Sequence, residues 1–321
     1  MSEIWDCIVV GGSAAGLSAG LVLGRARRRT LLIDAAQQSN LSAHGIGGLL
    51  GHDGRPPAEL YALGREELAS YGVQIQTGEV SDIAAAEEAF LVQLADGDEV
   101  RTRRVLLATG MTYLPPELPG LAELWGRSVF HCPFCHGWEV RDLPLAVLAD
   151  GDRAVHLALL LRCWSEDIVV LTGGPADLGA QDRSRLSSAG VRVDERPVAA
   201  LEAHEGELSA VVFTDGRRLP RRGLLVATAL RQRDRLAERL GVGIAPPGPV
   251  AQDPVGVDLM CRTSIPGVFA AGDLTGEMPQ VAGAIAAGSR AAAAVVQSLA
   301  ADDYGLAMPP GVAMTERKAD R

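Results

Sequence analysis

Residues 4–35 read IWDCIVVGGSAAGLSAGLVLGRARRRTLLIDA. A run of apolar residues, Cys7 to Val10, enters the turn Gly11-Gly12-Ser13-Ala14-Ala15-Gly16. An Ala/Leu-rich stretch with helical character follows, and a second apolar run, TLLID, ends in Asp34, 18 positions after Gly16. Strand, glycine turn, helix and a strand with an acidic end form the dinucleotide-binding βαβ pattern. Gly11 permits the tight turn, the helix N-terminus can receive a pyrophosphate, and Asp34 can accept hydrogen bonds from ribose hydroxyls. Ser13 stands where the pattern usually has its second glycine, a small residue that still lets backbone approach a phosphate. The basic run at 25–29 is short and reads as a solvated turn before the next strand.

The same plan recurs at 143–174, LPLAVLADGDRAVHLALLLRCWSEDIVVLTGG. The echo continues between LADGDEVRTRRVLLATG (94–110) and FTDGRRLPRRGLLVATA (213–229), each a hairpin turn leading into an apolar strand. Two nucleotide-binding modules are expected, in an α/β fold with the second Rossmann-like module inserted into the first. The second is poorer as a cofactor site. Ala149 replaces its first glycine, Asp150 adds a carboxylate near where a pyrophosphate would lie, and its second strand ends in Leu171-Thr172-Gly173-Gly174 with neither acid nor arginine. Arg183 and Arg185 are the residues that could compensate.

The chain has 321 residues, room for two domains with buried cores. A net charge of −10 argues against a nucleic-acid partner. The start of the chain lacks the positive charge of a secretory signal, and residues 281–296 are Ala/Gly-rich and interrupted by Ser289 and Arg290, as in a buried helix, so neither export nor a membrane role is expected. Five cysteines are too few and too scattered for a secreted disulfide framework, which suggests a cytoplasmic setting. Cys132 and Cys135, in SVFHCPFCHGWE (128–139), are the pair that stands out. By spacing alone they suit half a zinc site, a structural pair or a redox dithiol. No metal is expected, because Cys163 and Cys261 offer no partner at short spacing. Cys7, Cys163 and Cys261 read as small buried apolar residues and Trp138 as packing.

Near the C-terminus, TSIPGVFAAGDLTGEMPQVAGAIAAGSRAAAAVV (263–296), taken with Gly11–Gly16, Asp34 and LLATG (106–110), resembles the FAD-binding set of low-molecular-weight thioredoxin reductases over nearly the whole chain. The resemblance implies FAD as cofactor, held by Gly11, Gly12, Ser13, Ala14, Gly16, Asp34, Thr109, Gly110, Gly272, Asp273, Gln280 and Val281. It implies an FAD domain of 1–116 and 244–300, an inserted domain of 117–243 carrying the cysteines, and a loosely ordered tail, 301–321. It also implies that Cys132 and Cys135 are redox-active, since they precede the second glycine turn as in that family, with Cys135 towards the flavin and Cys132 exchanging with the sulfur substrate. His52 would lie where the family's chain passes the flavin.

The family usually has an aspartate after its second cysteine, and His136 stands there instead. A histidine titrates near neutral pH and can take a proton from an incoming thiol. With the weakened second module, this combination resembles the dithiol oxidases of gliotoxin and holomycin biosynthesis. That resemblance implies oxidation of a small-molecule dithiol to a disulfide, with oxygen reoxidising the flavin to give hydrogen peroxide, in a homodimer. The competing expectation is an NAD(P)H-dependent disulfide reductase.

Overall fold

A computed structural model describes residues 4–307. The chain forms two compact units, one of Met1–Ser39, Ala58–Tyr113 and Leu230–Arg321, the other of Asn40–Pro57 and Leu114–Ala229. These bounds differ from the expected ones. The crossings fall at 113/114 and 229/230, and Asn40–Pro57, expected with the first domain, groups with the second unit.

In the first unit, five strands lie side by side and parallel: Gln74–Thr77, Thr30–Asp34, Trp5–Val10, Glu99–Leu107 and Val268–Ala270. The central ones are buried along their length, as expected when helices cover both faces of a parallel sheet. The antiparallel strands Val80–Ala86 and Ala89–Leu94 extend the sheet from the other half of Glu99–Leu107. The second unit repeats the plan. Arg192–Asp194, Ile168–Leu171, Leu145–Leu148, Gly223–Val226 and Val129–Phe130 form a parallel sheet, accompanied by a meander of Val198–His204, Glu207–Phe213 and Arg218–Pro220. The duplication read from the sequence is therefore structural, with a shift of one strand. Val129–Phe130 comes first along its unit, whereas its counterpart Val268–Ala270 comes last.

The two echoed hairpins share their turn chemistry. Gly97 (φ +96°) and Gly216 (φ +79°) each follow an aspartate, and Asp96 and Asp215 accept the backbone N–H two residues on, from Asp98 (3.1 Å) and Arg217 (2.9 Å).

Helix Ala14–Arg25 packs on helix Val281–Tyr304 through small residues. A Cβ built at Gly288 would lie 2.0 Å from the carbonyl oxygen of Ala15, so the two backbones touch there. Residues 301–304, expected in the tail, belong to helix Val281–Tyr304. The helix runs to Tyr304, where Asp302 pairs with Arg104 and Asp303 with Arg28 (3.0 Å) and Arg103 (2.6 Å). Residues 308–321 lie outside the described residues.

Candidate active site

The first unit gathers the residues expected to hold a dinucleotide. Gly11 ends its strand at φ +113°, where an added Cβ would sit 2.2 Å from the Ala108 carbonyl oxygen and 3.2 Å from the Thr109 nitrogen. Gly16 lies directly under that turn, its hypothetical Cβ 1.8 Å from the Gly11 oxygen. Neither position admits a side chain. Ser13 caps helix Ala14–Arg25 without a side-chain hydrogen bond, leaving the first-turn N–H groups to an anionic ligand. On the opposite side of this helix start, a Cβ at Gly272 (φ +79°) would lie 3.0 Å from the Ala15 side chain and 3.8 Å from Ala284, so the GVFAAGD segment and the start of helix Val281–Tyr304 meet the glycine turn. Gln280 caps that helix, and Val281 is its first residue.

Two further features fit a bound dinucleotide. The Thr109 hydroxyl is buried beside the Gly11 turn with no hydrogen-bond partner among the described residues, a group that a ligand atom would satisfy. Gly110 continues the turn at φ +67°. Asp273 accepts the Tyr113 hydroxyl (3.1 Å), and burial raises its carboxyl, opposed by that hydrogen bond. Tyr113 belongs to no motif and is not suggested by the sequence.

Asp34 differs from the simple expectation of a free ribose acceptor. Its carboxylate is buried and accepts the Ala36 N–H (2.9 Å), the Gln38 amide (3.0 and 3.1 Å) and the Arg65 guanidinium (2.9 Å). A carboxylate has about four lone-pair sites, so a ribose hydroxyl would take the place of the Gln38 amide. A Cβ at Gly12 would strike the Asp34 carboxyl at 2.2 Å, which explains the glycine there.

The second unit holds Cys132 and Cys135, joined as a disulfide with Cα atoms 5.4 Å apart. Cys132 caps the single helical turn Pro133–His136, and Pro133 occupies its first position, where a missing N–H costs nothing. The Cys135 and His136 N–H groups donate to the Cys132 carbonyl (3.2 and 3.3 Å), and the Gly137 N–H to Pro133 (2.7 Å). The segment Asn40–Pro57 lies against this turn. A Cβ at Gly47 would meet the Cys135 carbonyl oxygen at 2.7 Å, and one at Gly126 would meet the Ser42 hydroxyl at 2.4 Å. The run GIGG at 45–48 is the sequence signal for this close approach. His52 lies in the same segment with its Nδ1 buried.

The His136 ring stacks on Phe130, with centroids 5.7 Å apart, and its Nε2 lies 3.0 Å from the Gly126 carbonyl oxygen. A carbonyl only accepts, so Nε2 carries the proton and Nδ1 holds the lone pair. That Nδ1 is buried with no partner among the described residues. Burial lowers the His136 pKa against the Gly126 hydrogen bond and Glu139, and His44 lowers it further. His131 stacks on Trp125 and is pushed down to about 4, chiefly by burial, with His136 and Arg153 adding to the effect. Both imidazoles are neutral at pH 7.

Two expectations near this turn are corrected. Trp138 does not pack inside the fold but stands 65% exposed, and Cys163 is exposed in the turn after helix Gly151–Leu161, while Cys7 and Cys261 are buried as expected.

Residues 5–288 match the pyridine nucleotide-disulphide oxidoreductase family. The chain belongs to that family. It is 31% identical to thioredoxin reductase tcpT of Claviceps purpurea, over 95% of this chain and 97% of that protein, and 30% identical to thioredoxin reductase aclD of Aspergillus oryzae, over 94% and 98%. Among solved structures it resembles HlmI, with a TM-score of 0.89, 36% identity and 95% of each chain covered. An oxidoreductase from Agrobacterium tumefaciens resembles it with a TM-score of 0.87 at 36% identity, over 93% of this chain and 99% of that one. This pyridine nucleotide-disulphide oxidoreductase is thus thioredoxin-reductase-like, in a family whose members depend on a flavin.

For a member of a family named for pyridine nucleotides, the second glycine turn is poorly equipped. Asp150 caps helix Gly151–Leu161, and its carboxylate accepts the Asp177 N–H (3.0 Å). The arginines that could have met a 2′-phosphate are engaged, Arg183 with Glu195 (2.7 Å) and Arg185 with Asp182 (2.9 Å). Such surface pairs are weak, and each of these two arginines comes with its own carboxylate.

Proposed function

We propose that this protein is an FAD-dependent dithiol oxidase that closes a disulfide in a small molecule through Cys132 and Cys135. The observation that carries this reading is His136, neutral, half-buried, tied through Nε2 to Gly126 and with a buried, unpartnered Nδ1, in the residue after Cys135. A neutral imidazole accepts a proton, which is what oxidation of an incoming dithiol requires of the enzyme. The paired arginines of the second module and Asp150 support the same direction, because they leave a nicotinamide phosphate little to bind.

In the proposed reaction one substrate thiol gives its proton to His136 Nδ1, and the thiolate attacks Cys132 Sγ. The Cys132–Cys135 bond breaks and Cys135 leaves as thiolate. The second substrate thiol then attacks the sulfur bound to Cys132, its proton passing to the departing Cys132 sulfur; the substrate disulfide is released, the proton held on His136 returns to Cys135, and the enzyme is left as dithiol. A bound FAD would supply the two-electron acceptor for the cysteine pair, and oxygen, taking up that pair with two protons, would give hydrogen peroxide. Gly11, Gly16, Thr109, Gly272, Asp273 and the start of helix Val281–Tyr304 would hold the FAD. The reading includes a homodimer in a cytoplasmic setting.

The test is anaerobic mixing of the yellow protein with dithiothreitol, NADPH or NADH. Bleaching by the dithiol alone, then recolouring with peroxide on admission of air, is the expected result. Rapid bleaching by NADPH or NADH refutes the reading and makes the enzyme a disulfide reductase.

A further inference from the structure

Aromatic residues make up only 4% of this chain, yet two of those left exposed flank the dithiol. Phe134, between the two cysteines, is 54% exposed, and Trp138, three residues after Cys135, is 65% exposed. Leaving both rings largely in water forgoes the stabilisation that burying them would bring. The other exposed aromatics are Tyr71, under the Arg25 guanidinium, and Tyr304, at the end of the C-terminal helix.

Both rings are held in place. Phe134 meets Trp164 edge-on, with centroids 5.6 Å apart and planes at 84°. Trp164 can approach because residue 137 is glycine, where a Cβ would lie 2.8 Å from the indole. Trp138 has the Arg141 guanidinium 4.0 Å from its ring centroid, and Arg141 also donates to the Trp138 carbonyl (2.7 Å). A pre-positioned aromatic surface binds with less ordering cost than a mobile one.

We propose that Phe134 and Trp138 form the specificity platform for the substrate, and that the substrate carries its two thiols on a planar, apolar ring body that stacks there. This rests on the dithiol oxidation proposed above. Size decides between a small molecule and a protein dithiol. A Phe or Trp buries roughly 150–250 Å² when fully covered, so the two rings at these exposures offer roughly 200–300 Å², whereas a stable protein interface needs about 800 Å² on each partner. The platform matches a ring-sized ligand. Arg141 is already occupied by Trp138, so the platform adds no free charge for a strongly anionic substrate.

The test uses the flavin-loaded protein and Trp138→Ala, with Trp138→Phe as the conservative variant. Binding of the S,S′-dimethyl derivative of 1,2-benzenedimethanethiol, which cannot react, is read by calorimetry. The ratio of kcat/KM for the parent dithiol to that for dithiothreitol is read by oxygen uptake. The expected result is a loss of binding and of this ratio by about ten-fold or more in Trp138→Ala, with most of both returned in Trp138→Phe. Equal binding by Trp138→Ala, or no binding by the unaltered protein, overturns the proposal. So does a change of oligomeric state in Trp138→Ala, which would mean that a second copy covers the platform. If binding depends on Trp138 but neither dithiol is oxidised, the platform stands and the oxidase reading falls.

Discussion

Replacing Gly288 by Ala sets two effects of opposite sign against each other. In the interior of a helix an alanine is favoured over glycine by about 1 kcal/mol. Against this, the added Cβ would lie 2.0 Å from the Ala15 carbonyl oxygen, 2.8 Å from its carbonyl carbon and 3.0 Å from its Cα. All three are backbone atoms, so no rotamer change relieves the clash and the two helices must part by roughly 1 Å. Overpacking of this kind costs about 1–3 kcal/mol, more where backbone must move. The clash is expected to win by about 1–2 kcal/mol, lowering Tm by roughly 2–8 °C in a unit of this size. Because Ala15 lies in the first turn of the glycine-turn helix, bound flavin should fall as well. The control is Gly283→Ala in the same helix, its stability read on flavin-free protein because the start of this helix would hold the FAD; the nearest atom to a Cβ there is the Met278 oxygen at 3.8 Å, so no clash should offset the propensity gain. Thermal unfolding and flavin absorbance per protein read both effects. A Tm for Gly288→Ala raised as much as that for Gly283→Ala would refute the reasoning.

His136→Asn should lower dithiol oxidation by about 10²–10⁴-fold, the usual worth of a general base, while the flavin spectrum persists. In the unaltered enzyme, the base must be neutral, so kcat/KM should rise with pH through a His136 pKa below the ordinary 6.5 and flatten above it; the variant should lose that acid limb. His131 sets a stability limit in acid. The unfolded chain takes up its proton near 6.5 and the folded one only near 4, so stability falls as pH drops through that window, by roughly 2–4 kcal/mol. His131→Phe should flatten this part of a denaturant-midpoint-versus-pH curve, and an unchanged slope would assign the acid sensitivity elsewhere. Asp302→Ala leaves the Arg104 guanidinium, which is 10% exposed, with Ser298 and the Arg103 carbonyl; since Asp302 itself is half-exposed, urea unfolding should show a loss of only about 1 kcal/mol.

The parts of this fold that could be read from sequence are those whose physics is local. A strand that ends in Gly11, a helix that must start at Ala14 and a second strand ending in Asp34 are fixed by a few consecutive residues. The hairpins at Asp96-Gly97 and Asp215-Gly216 repeat the same side-chain-to-backbone bond, which made the duplication legible. What could not be read depends on partners distant in sequence. No pattern announces that Tyr113 will donate to Asp273, 160 residues later, or that Arg65 will take up the Asp34 carboxylate. The same reason explains the misplaced segment 40–57. Its order in the chain assigns it to the first unit, while its Gly47 meets Cys135 and its Ser42 meets Gly126 in the second.

The tautomer of His136 lies at the same boundary. Its place after Cys135 is visible in the sequence, but the tautomer that leaves a lone pair on its Nδ1 is set by a carbonyl ten residues earlier that fixes the proton on Nε2. Had that neighbour been a donor, such as a backbone N–H, the same histidine would have presented a proton to the substrate instead of a lone pair. A single accepting carbonyl thus fixes the resting tautomer of this side chain, and Gly126, at φ +79°, is the residue whose backbone presents it.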